Sequence, residues 1–137
     1  MTFTRSTDYA AIHALLTEPR VWRRMRGDVG PPRMLDVGPR EGLEYVLATE
    51  HGKPVAVFVI LQGIEVHFAF SPGAWGSTLE TSKAFLDWAW KHLDTPVLVG
   101  PIPKHNRLAL SLARRCGFTE HCIKDGLVYT VLERAAA

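Results

Sequence analysis

Between Ile64 and Phe118 the hydrophobic period switches repeatedly, and those switches constrain the order of elements more tightly than anything else in the chain. Ile64, Val66, Phe68 and Phe70 alternate with Glu65, His67 and Ala69, the period of a strand. The turn Ser71-Pro72-Gly73-Ala74-Trp75-Gly76-Ser77-Thr78 follows. Beyond it Leu79, Leu86, Ala89, Trp90 and Leu93 recur at helical spacing, widened by Phe85 and Trp88, which predicts a helix from about Ser77 to Leu93. Pro96 to Pro101 is apolar on both faces, as expected of an interior strand, and Pro101 and Pro103 are expected to stop it. Asn106 is placed to cap a last helix whose inner stripe is Leu108, Ala109, Leu112 and Cys116 and whose Gly117 suits the C-terminal cap.

The flanks are read in the same way. Asp8 precedes Ala11, Ile12, Leu15 and Leu16, a short amphipathic helix that Pro19 should end. Gly27 to Gly42 is rich in glycine and proline and reads as a long irregular connection. Tyr45–Thr49 and Val55–Leu61 form a hairpin that the Ile64–Phe70 strand extends to three antiparallel strands. Glu120–Lys124 and Leu127–Leu132 close the chain as a second hairpin around Asp125-Gly126. Together these elements give an α+β class, a mostly antiparallel central sheet flanked by helices. A chain of 137 residues with 47% hydrophobic content can bury a real core, and one domain over residues 1–137 is the expectation.

Composition narrows the function classes. A net charge of +2 is too small to argue for a polyanion, so nucleic acid is an unexpected partner, although Arg20, Arg23, Arg24 and Arg26 with Trp22 form a basic-aromatic patch. The polar N-terminus and the lack of a long apolar run point to a cytoplasmic protein without membrane contact. Cys116 and Cys122 are too few for a disulfide scaffold, and the histidines show no metal-ligand spacing, so no metal is expected.

The order strand, glycine-bearing turn, helix, apolar strand and Asn106-to-Phe118 helix resembles the acyl-CoA-binding half of the GNAT N-acetyltransferases. The resemblance implies a GNAT-like fold in which backbone N–H groups of the turn meet the cofactor's pyrophosphate at a helix N-terminus. It implies acetyl-CoA as co-substrate, with Phe70, Gly73, Trp75, Gly76, Ser77, Thr78 and Asn106 as the binding residues. It also implies an amine acceptor, on a small molecule or a protein, and leaves room for a homodimer. Two positions depart from the family pattern. Thr78 stands where a second small residue is usual, and Ala113 stands where many members carry a tyrosine as general acid.

Acyl transfer to an amine needs the neutral nucleophile. A lysine-like amine is neutral in fewer than about one molecule in a thousand at pH 7, so some base must take a proton. Glu65 and His67 share one face of their strand about 7 Å apart, and a histidine titrates in the right range for that work. The same face is equally consistent with a solvated side of the sheet. Ser111 is the candidate acid on the last helix, with Tyr129 or a water as the alternatives. The alternative reading is a noncatalytic module on the same scaffold that keeps CoA binding.

Overall fold

The computed structural model describes residues 1–25 and 37–135, with Arg24 and Met25 as backbone only. The expected Gly27–Gly42 connection therefore lies partly outside the described residues; residues 37–42 carry no regular structure.

Among the described residues seven strands form one sheet: β1 (Thr2–Arg5), β2 (Leu43–Glu50), β3 (Lys53–Leu61), β4 (Glu65–Phe70), β5 (Val97–Pro103), β6 (Thr119–Lys124) and β7 (Leu127–Glu133). Their order is β1-β2-β3-β4-β5-β7-β6. Every neighbouring pair is antiparallel except β4 and β5, which run parallel. This is the α+β sheet that the sequence pattern implies. The hairpins turn on His51-Gly52, Gln62-Gly63 and Asp125-Gly126, in each of which both residues have positive φ. That is the two-residue turn whose twist matches paired strands.

Among the described residues four α-helices cover the sheet: α1 (Tyr9–Leu16), α2 (Pro19–Met25), α3 (Thr78–His92) and α4 (Arg107–Arg115). On one face, Phe85, Leu86 and Ala89 of α3 pack with Val46, Phe58, Ile60, Val66, Phe70 and Leu98, and α4 adds Leu112 and Ala113. The Phe58 and Phe85 rings stack with centroids 4.0 Å apart. On the other face, Ile12, Leu15 and Leu16 of α1 and Val21 of α2 pack against Leu47, Val57, Val59 and Ala69.

Four expectations need correction. Pro19 does not simply end α1, which stops at a Thr17 C-cap; it opens α2, because proline's fixed φ suits the first helical position. The polar Thr2–Arg5 segment is a strand, held by pairing with β2 more than forty residues away and by Phe3 packing on the core. Pro101 and Pro103 do not stop β5. Both stay in register with β7, opposite Tyr129 and Leu127, because the prolines' nitrogens point to the opposite edge and leave the β7 ladder intact. Leu108 is not on the inner stripe of α4; it is 66% exposed, and Leu110 is the buried leucine.

Candidate active site

The parallel pairing of β4 with β5 is short. It holds at Glu65 opposite Val99, with Val99 N–H donating to the Ile64 carbonyl at 2.9 Å. Backbone groups alternate sides along a strand, so residues 101 and 103 also direct their nitrogens toward β4. Both are prolines with no N–H to donate, so the ladder cannot continue and the strands part.

A cleft of about 410 Å³ opens in the splay. One wall is β4, with Val66, His67, Phe68, Ala69 and Phe70. The other combines Gly100 to Pro103 of β5 with residues of α4 from Leu108 to Arg115. Residues from both faces of the sheet line it, Thr78 and Ala113 on the α3/α4 side and Val21 on the α1/α2 side. The cleft therefore passes between the strands, from one layer of helices to the other.

Alternation places His67 with Ala69 on the α1/α2 face, and the solvated alternative does not hold for it: His67 is 3% exposed. Its Nε2 lies 2.7 Å from Glu65 Oε2. A carboxylate accepting from Nε2–H leaves the basic lone pair of a neutral imidazole on Nδ1. Glu65 is not on the cleft lining; its side chain is 30% exposed and bridges the buried ring toward the surface. Ser111 lies on the α4 wall.

The turn after β4 is a 3₁₀ helix, Pro72–Ser77, that runs directly into α3. Trp75 fixes it by donating from Nε1 to the Phe70 carbonyl at 3.2 Å. Gly73 and Gly76 have ordinary negative φ, and a Cβ added at either would meet nothing within 4 Å. The backbone is thus bare on its outer side without being strained. Ser77 makes no side-chain cap; its hydroxyl donates to the Ala74 carbonyl at 3.2 Å. Phe70, Trp75, Thr78 and Asn106 reach the cleft, whereas Gly73, Gly76 and Ser77 do not line it. Asn106 caps α4 as well, accepting from Ala109 N–H at 3.2 Å.

Several lining residues were not singled out from the sequence. Val21 comes from a helix that the pattern did not suggest, and Thr130 from the last strand. Gly100-Pro101-Ile102-Pro103 carried a usable signal, since prolines at alternate positions of an apolar strand mark an edge that cannot pair. Arg20 of the basic patch pairs with Glu18 at 3.0 Å, and Arg26 lies outside the described residues. Burial pushes the Cys116 thiol up, against the downward pull of Lys83 and Arg115, so it stays protonated near neutral pH. Among the described residues no cluster of metal-ligating side chains occurs, and no helix is long and apolar enough to cross a membrane.

The splayed strands, the helix-opening turn and the capped α4 define a GNAT architecture. The acetyltransferase (GNAT) domain model matches residues 2–119, and the chain belongs to that family. No curated protein matches the sequence. Similar solved structures include the aminoglycoside acetyltransferase AAC(6')-Ib with paromomycin and acetyl-CoA, at 16% identity and a TM-score of 0.77 over 97% of this chain and 93% of that one. The Campylobacter jejuni N-acetyltransferase PseH with acetyl-CoA aligns at 14% identity and 0.68 over 98% and 100%. A spermidine N-acetyltransferase SpeG chimera from Vibrio cholerae and hSSAT aligns at 13% and 0.70 over 97% and 96%. At these identities the likeness speaks for the fold.

Proposed function

We propose that this chain, acting as one domain in the cytoplasm, is an N-acetyltransferase that moves an acetyl group from acetyl-CoA directly to an amine of a small molecule or protein. The observation that carries the reading is the buried His67, hydrogen-bonded to Glu65, on the wall of a cleft open to both layers of the fold. Donor and acceptor can approach such a cleft from opposite sides of the sheet and meet at the splay, which supplies proximity and orientation.

The residues present fit the donor: an apolar slot for a pantetheine arm, a helix N-terminus beside it, and bare glycine backbone at the preceding turn. Phe70, Trp75, Thr78 and Asn106 would line its path, with Gly73, Gly76 and Ser77 forming the turn behind them. Acetyl-CoA supplies an activated thioester. His67 takes the proton of the attacking amine, and Glu65 holds the ring and stabilises its charged form. Ser111 stands on the opposite wall as the hydroxyl able to return a proton to the departing sulfur. The protonated Cys116 leaves no reason to invoke an acyl-cysteine intermediate.

Ala113 favours a second reading, because the cleft carries a methyl group where many family members place a general acid. On that reading the chain binds CoA esters without turning them over. Calorimetric titration with acetyl-CoA, followed by CoA release against a panel of primary amines, decides between them. Binding with turnover is expected; binding alone supports the noncatalytic module, and no binding at millimolar acetyl-CoA sinks both.

A further inference from the structure

Three residues on the far wall of the cleft carry almost no side chain, Gly100 on β5 and Ala109 and Ala113 on α4; Gly100 and Ala113 matter here. The Phe118 ring comes within 3.8 Å of the point where a Gly100 Cβ would stand, and Leu112 and Ala113 pack on the same apolar cluster. Thr130, which also lines this wall, is 1% exposed and donates its hydroxyl to the Gly100 carbonyl at 2.8 Å. Its hydrogen is thus already used inside the protein. Gly100 has its own reason to lack a side chain, since a Cβ there would sit 2.9 Å from the Thr130 hydroxyl. Ala113 packs against the apolar cluster and also lines the cleft. The result is a patch of small and apolar groups, Gly100, Ala113 and Phe118, on the far wall of a cleft whose opposite wall bears His67 and whose α4 lining also includes Ser111 and Arg115.

We propose that this patch, formed by Gly100, Ala113 and Phe118, receives the acyl chain of the donor, and that propionyl- and butyryl-CoA serve at least as well as acetyl-CoA. This deepens the acyl-transfer reading and rests on it. The transfer is the same for each donor. The amine nitrogen forms a bond to the acyl carbon while the C–S bond breaks, one amine proton goes to His67, and CoA leaves as the thiol after taking a proton. Only the length of the chain against the patch changes.

The sign of the length dependence reads the room beside that patch. In a cavity with room, each buried methylene should raise kcat/KM about fourfold. In a cavity already filled by acetyl, the extra carbon overpacks and lowers it. The experiment measures CoA release with one amine acceptor and acetyl-, propionyl- and butyryl-CoA. The expected result is a propionyl value about fourfold above acetyl, with butyryl at or above acetyl. A propionyl value below acetyl overturns the inference.

In Ala113→Leu the propionyl-to-acetyl ratio should fall at least tenfold relative to the parent, and an unchanged ratio counts against the assignment of this wall. Should that variant not fold, calorimetric Kd values of the parent protein provide the second reading. Tighter propionyl-CoA than acetyl-CoA supports the inference, and weaker binding overturns it. Turnover of acetyl-CoA with failure of the longer thioesters removes only this inference; no binding of any thioester removes the acyl-transfer reading as well.

Discussion

The two walls of the cleft are built differently. The β4 wall belongs to a run of hairpins, β2-β3-β4, whose residues are buried on both faces and clamped by the Phe58–Phe85 stack. The β5/α4 wall stands on β7 and on a helix with an exposed flank, and is shaped by prolines, a glycine and an alanine. The first wall carries the titratable pair, and the second carries the shape. A base must keep one geometry against a reacting atom, which a doubly packed strand provides. A wall that selects ligands can vary side-chain volume without disturbing that geometry.

The largest effect should come from the chemistry on the first wall. His67→Ala is expected to lower kcat/KM by about 100- to 10,000-fold, the usual contribution of a positioned acid or base. Glu65→Gln, which keeps the shape and removes the charged acceptor, should cost less, about 10- to 100-fold. Steady-state rates on one amine check both, and unchanged turnover in the two variants would remove the division of labour between the walls.

Next comes the support of that wall. Phe85 is fully buried and touches Phe3, Phe58, Phe68 and Trp88, so Phe85→Ala should destabilise the fold by about 3–5 kcal/mol in denaturant unfolding. The smallest effect is expected on the second wall. Thr130→Val keeps the volume and removes the hydrogen bond to Gly100, a loss of about 1 kcal/mol. A Thr130→Val loss matching that of Phe85→Ala would show the two walls to be equally rigid.

Much of the fold was legible because its signals are local. Alternation in residues 64–70, the Asn106 cap, Gly117 with φ near +100° and the Asp125-Gly126 turn each declare themselves within a few residues. What escaped depends on distant partners. Thr2–Arg5 is a strand only because β2 is there to receive it. Alternation put Glu65 and His67 on one face, but it carried no information about α1 and α2 covering that face, so the burial of His67 could not be read. Prolines 101 and 103 looked like stops because a proline's cost depends on which edge it faces, and the edge is set by pairing with β7. The cleft itself lies between strands about thirty residues apart in sequence, and its lining reaches from Val21 to Thr130.

The sheet order has a consequence for the sequence of assembly. β2, β3 and β4 are consecutive and can pair as they emerge, with little chain to close. β7 follows β6 in the chain yet lies between β5 and β6, so β6 cannot join the sheet before β7 arrives, and until then β5 has only its short pairing with β4. Arg134, just beyond it, then donates to the carbonyls of Trp90, Leu93 and Thr95 and fastens that edge to the end of α3. A growing polypeptide that has not yet reached residue 127 already holds His67 on a finished hairpin, while its second wall still lacks the support of β7, and the slot is complete only once β7 is in place.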